Sequence, residues 1–140
     1  MLSKAINITA QAFVDKLDKG GHPYILHCIA VMNAMPRHDQ ELKCIAMMHD
    51  LVEDCEEWSL TRLVLEKFTP RVINALKLLT HDRDVPYDDY ISALAHSEDA
   101  RIVKMADLRH NSDIMRMKGL RKKDFDRLEK YHRAYMYLSE

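Results

Sequence analysis

Residues 47–57 read Met47-Met48-His49-Asp50-Leu51-Val52-Glu53-Asp54-Cys55-Glu56-Glu57, and no other stretch departs so far from ordinary helix chemistry. An apolar helix runs into an adjacent His and Asp, and five carboxylates then fall between positions 50 and 57 with no Lys or Arg among them. On a continuing helix Asp50 and Asp54 share a face at i, i+4, and His49 and Glu53 share the next one round, so four ionisable groups crowd one helix end. Like charges that close repel unless something offsets them. A divalent cation does so economically: imidazole nitrogen and carboxylate oxygen together suit Mn²⁺, Fe²⁺, Zn²⁺ or Mg²⁺. A solvated acidic turn beside a core histidine satisfied by one hydrogen bond is the other reading of the same residues.

Working outward, two further residues bear on that choice. His27 lies in the middle of an apolar stretch among Tyr24, Leu26, Cys28 and Ile29, as a core histidine or as a second imidazole for the same ion. Asp107 sits inside Ile102-Val103-Lys104-Met105-Ala106-Asp107-Leu108. Burying it unpaired would be strongly unfavourable, so it needs a metal or a salt bridge to Lys104 or Arg101.

The surrounding pattern is helical throughout. Only 3 Gly and 4 Pro occur, too few for the many tight turns of a sandwich or barrel. Apolar periodicity predicts seven or eight helices. The first runs from Ser3 to Leu17 and is stopped by Gly20 and Gly21; a helix led by Pro23 follows and breaks at Pro36. Asp39 caps Gln40 to Asp50, Ser59 caps Leu60 to Phe68, and Thr69 with Pro70 opens Arg71 to Leu79. The polar segment Thr80 to Val85 is a loop, then come helices from Tyr87 to Ala95 and from Ser97 through Leu108. A last helix, Arg121 to Leu138, closes the bundle on a face of Phe125, Leu128, His132, Tyr135 and Leu138.

Composition bounds the function. At 140 residues with 47% apolar and 31% charged residues, one globular all-α domain spanning 1–140 is expected. The net charge of −1 lacks the excess basicity of sequence-independent nucleic-acid binding, so no nucleic-acid partner is expected. The run Arg121-Lys122-Lys123 reads as a solvated helix start. Cys28, Cys44 and Cys55 are odd in number and lack zinc-knuckle spacing, which suits free thiols in a reducing compartment. With no secretory core near Met1 and no apolar run of roughly 18 residues, a cytoplasmic protein without a membrane partner is expected. Of the 8 His, His38, His81, His96, His110 and His132 have no partner in sequence and receive no chemistry.

Three segments together resemble the HD-domain phosphohydrolases, and most closely the (p)ppGpp hydrolases, both the hydrolase half of RelA/SpoT-type enzymes and the stand-alone small alarmone hydrolases. Gly21-His22-Pro23-Tyr24-Ile25-Leu26-His27 is similar to their G-x-P-Y-I-x-H, and His49-Asp50-Leu51-Val52-Glu53-Asp54 to their H-D-x-x-E-D. Val103-Lys104-Met105-Ala106-Asp107-Leu108-Arg109-His110-Asn111 resembles V-K-L-A-D-R-L-x-N. The resemblance implies an HD-type helical bundle in which His27, His49, Asp50 and Asp107 bind one divalent metal, by similarity Mn²⁺. It further implies Glu53 and Asp54 as the acid/base pair, and Lys19, Tyr24, Lys104 and Asn111 as substrate contacts. The reaction implied is hydrolysis of the 3′-diphosphate of guanosine tetra- or pentaphosphate to GDP or GTP plus pyrophosphate. Another nucleotide or phosphate ester, a non-catalytic nucleotide sensor and a homo-oligomer remain open. Two departures bear on the substrate: only Lys19 remains of a basic stretch before Gly20, with Asp18 beside it, and Leu108-Arg109 reverses the usual order, moving the charge about 100° round the helix.

Overall fold

Four helices begin where a short polar side chain takes up a backbone N–H that has no helical acceptor. Asp39 accepts from the Leu42 N–H at 3.0 Å, Ser59 from Arg62 at 3.1 Å, Thr69 from Val72 at 3.4 Å and Ser97 from Ala100 at 3.2 Å. Asp39, Ser59 and Thr69 stand where the sequence predicts caps, and Ser97 where it predicts a helix start. The computed structural model describes all 140 residues as nine α-helical segments and one 3₁₀ turn, with no strand beyond an isolated bridge between Leu17 and Pro23. The segments are α1 Leu2–Ala12, α2 Ile25–Asn33, α3 Gln40–Met47, α4 Leu51–Asp54, α5 Leu60–Leu65, α6 Pro70–Leu79, α7 Tyr87–Leu94, α8 Glu98–Asn111 and α9 Lys122–Leu138, with the 3₁₀ turn at Ile114–Arg116.

Helix α3 is the hub, packed against α1, α2, α6 and α8. Its run Leu42, Cys44, Ile45, Ala46 and Met47 is buried on almost every side, the mark of a central helix. Around it Val31, Leu63, Val72, Leu76, Leu94, Val103, Leu108 and Leu138 form one continuous core. The Arg71 guanidinium binds Asp39 through two hydrogen bonds of 2.8 and 3.0 Å and Asp99 through two more of 2.8 and 2.9 Å. The first turns of α3 and α8 are thereby tied to α6. No helix is long and apolar enough to cross a membrane.

Several boundaries differ from the sequence expectation, and two of the differences build the site. The first helix ends at Ala12 instead of Leu17. Phe13 turns into the core, Val14 and Leu17 are left 75% and 60% exposed, and the chain doubles back so that Leu17 pairs with Pro23. Asp18 fixes this reversal by accepting from the backbone N–H groups of Gly20 and His22, both at 2.9 Å. A side chain on Gly20 would collide with the Arg116 carbonyl oxygen, so the bare glycine backbone lets the segment after α8 lie directly on the turn.

The second difference is at the decisive stretch. Helix α3 stops at Met47; Met48 to Asp50 form a turn, and α4 is a separate single turn. The apolar pattern continues across the break, with Met47, Met48 and Leu51 all fully buried, which is why periodicity alone does not reveal it. Elsewhere, α5 ends early because Lys67 adopts φ 68°, a left-handed residue that closes the helix. Helix α8 runs a turn further than expected, to Asn111. In α9 the buried residues are Asp124, Ala134 and Leu138, while Phe125 and His132 face solvent.

Candidate metal centre and cleft

The break after Met47 decides the geometry of the centre. Neighbouring residues on a continuous helix diverge by about 100°. Here the turn lets His49 and Asp50 converge, with His49 Nε2 3.0 Å from Asp50 Oδ2. Helix α2 contributes His27 and α8 contributes Asp107, whose Oδ1 lies 3.0 Å from His27 Nε2 and 3.2 Å from His49 Nε2. The two Nε2 atoms stand 3.3 Å apart, and His27 Nε2 is 3.8 Å from Asp50 Oδ2. One ligand atom from each of the four residues falls within 4.8 Å of every other. His27, His49 and Asp107 are buried, and Asp50 is half-buried.

These donors fit a divalent cation. For metal–ligand bonds of about 2.1 Å, ligands at right angles stand about 3.0 Å apart and tetrahedral ones about 3.4 Å, the spacing found between most of the pairs. Proton placement agrees. His49 Nδ1 faces the Ala46 carbonyl oxygen at 2.7 Å, an atom that only accepts, so its proton sits on Nδ1 and Nε2 is turned toward the carboxylates. His27 Nδ1 meets His110 Nδ1 at 2.7 Å, with the two rings stacked, and can hand its proton outward in the same way. Without a cation, burial alone would push His49 down, but Asp50 and Asp107 outweigh it and hold the imidazole well above its ordinary value. A positive charge is wanted at this point, as a second proton or as a metal.

Other side chains hold the ligands in place. Tyr24 donates its hydroxyl to Asp50. Lys104 Nζ lies 2.9 Å from Asp107 Oδ2, and Asn111 Nδ2 donates to Asp107 Oδ1 at 2.9 Å. Burial of the Asp107 carboxyl is outweighed by Lys104 and His49, which keep it well below the ordinary carboxylate range. Tyr24, Lys104 and Asn111, for which the family resemblance implies substrate contact, thus bond first to the carboxylates of the cluster, Asp50 and Asp107. Lys104 is the salt-bridge partner; Arg101 is not among the groups on Asp107. Arg109 points away to the Tyr135 hydroxyl, outside the cleft.

Above the centre opens a cleft of about 470 Å³. Glu53 and Asp54 stand on its wall, as do Lys19, Tyr24, Lys104 and Asn111. Glu53 accepts the His81 backbone N–H at 2.8 Å, and protein packed about the carboxyl, with Asp50 and Asp54 nearby, raises its pKa. Asp54 is paired to Lys16 Nζ at 2.8 Å, and that ammonium lies 4.1 Å above the Tyr24 ring. The i, i+4 alignment expected of Asp50 with Asp54 is therefore replaced: Asp50 turns to the centre while Asp54 turns to Lys16.

Sequence reasoning missed several residues that line the cleft or stand behind its metal cluster. His81 and His110 were given no chemistry, yet one holds Glu53 through its backbone and the other holds His27. Burial, with Arg116 and His27 adding to it, pushes His110 down to about 4, so its ring is neutral near pH 7. Lys16, Arg116, Arg127 and Lys130 also line the cleft. The sequence signal for His110 was its place three residues after Asp107, on the same helix face. The cations carried no signal, because lysines and arginines on polar faces ordinarily point to water.

Fold and site together define a class: a helical bundle of HD type whose floor is a His-His-Asp-Asp cluster that can bind a divalent ion. No protein-family profile matches the sequence, and no curated protein matches it either. Among solved structures, this chain is similar to a metazoan ortholog of SpoT that hydrolyses ppGpp and plays a role in starvation responses. The TM-score is 0.79 at 20% identity, covering 98% of this chain and 84% of that one. The chain therefore has an HD-domain, (p)ppGpp hydrolase-like fold.

Proposed function

We propose that the protein is a metal-dependent phosphohydrolase that removes the 3′-diphosphate of (p)ppGpp as pyrophosphate, leaving GDP or GTP. The observation that carries this reading is the convergence of His27, His49, Asp50 and Asp107 on one point at the base of a cleft that also holds Glu53 and Asp54. The hydrolase-like fold supports it. Four residues from three separate segments do not meet with this donor chemistry in an ordinary core.

Those four residues would hold a single divalent ion, with Mn²⁺ proposed. Such an ion supplies a nucleophilic water at neutral pH and stabilises charge on the phosphoryl oxygens. The chain's own residues do the rest. Glu53, with its raised pKa and a single backbone hydrogen bond, takes the proton from the attacking water and returns it to the leaving oxygen. Asp54, tethered by Lys16, orients that water. Tyr24 and Lys104 fix the carboxylates of Asp50 and Asp107, and Asn111 also reaches the cleft to orient the nucleotide. Lys19 meets phosphate at the cleft edge. Asp18, the departure noted in the sequence, is engaged with its own turn and with Arg116 at 3.0 Å, so it does not oppose an anion in the cleft. The reading places the protein in the cytoplasm, where three free thiols are stable.

The test is anion-exchange analysis of a nucleotide panel incubated with the manganese-loaded protein. Pyrophosphate released from ppGpp or pppGpp and from no 3′-unphosphorylated nucleotide is the expected result. Release from another phosphate ester with none from either alarmone would refute the substrate, and no release from any would leave a nucleotide sensor.

A further inference from the structure

Beside the cleft lies a second concavity of about 530 Å³, walled by the segment Met117–Arg121 and the first turns of α9. Five cations face it, Lys19, Lys118, Arg121, Lys123 and Arg127, against one acid, Asp124. Arg127 is paired with Asp124. The side-chain nitrogens of Lys19, Lys118, Arg121 and Lys123 form no ion pair within 4.0 Å; Asp124 reaches Arg121 only at its backbone N–H, at 2.8 Å. In a chain of net charge −1 this is a strong local imbalance. The concavity is also fixed in place. Arg116 is bound to Asp18 at 3.0 Å, its carbonyl lies against Gly20, and the Lys118 ammonium rests over Gly21. Lys19, Met117 and Arg127 border both hollows, so the second is a continuation of the first.

Cations held together by the fold repel one another, and a polyanion relieves that repulsion. Arginine forks and lysine ammonium groups bind phosphate oxygens in complementary ways. A ligand that bridges the two hollows needs an anionic group at each end of a less charged body. We propose that the hollow formed by Lys19, Lys118, Arg121, Lys123 and Arg127 is an anion subsite for the phosphate chain at the far end of the nucleotide from the cleaved diphosphate. This rests on the hydrolase reading above. The subsite makes the 5′-phosphates a determinant of substrate choice and gives Arg121 and Lys123, otherwise part of a solvated helix start, a partner, while Lys122 pairs with Asp126.

The test uses the double charge reversal Lys118→Glu/Lys123→Glu, at two exposed positions outside the core, with manganese-induced thermal stabilisation as the check that the fold is intact. Wild type is expected to favour guanosine 3′,5′-bis(diphosphate) over guanosine 3′-diphosphate by at least about tenfold in kcat/KM, the size of one charge-assisted hydrogen bond. The variant should bring that ratio close to one. An unchanged ratio, or no preference in wild type, overturns the subsite. A second arm titrates inorganic pyrophosphate into the metal-free protein: binding about tenfold weaker in the variant supports the subsite, and equal binding overturns it. Loss of pyrophosphate binding with the nucleotide ratio retained makes free pyrophosphate the occupant and overturns the assignment to substrate. Turnover of neither nucleotide refutes the hydrolase reading, a result the pyrophosphate arm keeps separate from failure of the subsite.

Discussion

Replacing His110 with Phe tests how the centre is assembled without touching any ligand. His27 has a single partner on the side away from the metal cluster, the His110 ring at 2.7 Å between Nδ1 atoms. To offer Nε2 as a lone pair, His27 must carry its proton on Nδ1, and His110 must accept it. Phenylalanine keeps the flat ring that stacks on His27, with centroids 5.0 Å apart in the native pair, but removes the acceptor. A buried N–H left unsatisfied costs about 1–3 kcal/mol. The imidazole escapes that cost by shifting its proton to Nε2, where it blocks the metal. Loss of such an outer partner typically weakens metal binding about 10- to 100-fold, or roughly 1.4–2.7 kcal/mol. Calorimetric titration with Mn²⁺ should show a loss of that size in His110→Phe. His110→Asn, whose amide oxygen can accept, should recover much of it. His49, which uses the Ala46 carbonyl instead, keeps its own tautomer in both variants. A Phe variant that binds Mn²⁺ within about twofold of wild type, with unchanged metal-free thermal stability, would refute the tautomer argument.

Glu53→Gln should leave Mn²⁺ binding nearly intact and lower kcat by about 10²- to 10⁴-fold, read by pyrophosphate release; a fall of less than about fivefold contradicts the base assignment. In the metal-free protein an NMR titration should place Glu53 above its ordinary value, as its crowded surroundings dictate, and adding the cation should bring it down by favouring the carboxylate. Asp39→Asn preserves the α3 cap but weakens the Arg71 clamp. Hydrogen bonds from Arg71 and Leu42 hold the Asp39 pKa below its ordinary value, so the stabilisation is present above the unfolded carboxylate pKa of about 3.9 and lost as pH falls through the folded one. Thermal melts should therefore separate variant from wild type at pH 7 and converge in strong acid; a difference that persists there would contradict this.

What could be read from the sequence follows from which residues are unfavourable where they stand. A histidine and an aspartate on apolar helices, and an adjacent His-Asp before an acidic run, are each conspicuous, and the structure brings those four residues together. Helix starts were legible because Asp39, Ser59, Thr69 and Ser97 are specific capping chemistry. The break at Met48 was hidden because a fully buried strip reads the same in a helix and in a turn. Its consequence, Asp50 turned to the centre and Asp54 to Lys16, was hidden with it. The end of α1 was obscured by Val14 and Leu17, which keep helical spacing but face solvent. The cationic wall was the least legible part, since Lys16 lies far along the chain from Arg116, Arg127 and Lys130, and all four resemble solvated residues until folding places them round one cleft.

The most direct measurement is anomalous diffraction at the manganese edge from crystals grown with Mn²⁺. A single strong peak is expected, bonded at about 2.1–2.3 Å to His27 Nε2, His49 Nε2, Asp50 and Asp107. No peak among those four side chains, or a peak bound only by surface carboxylates, would contradict the metal centre and the hydrolase built on it.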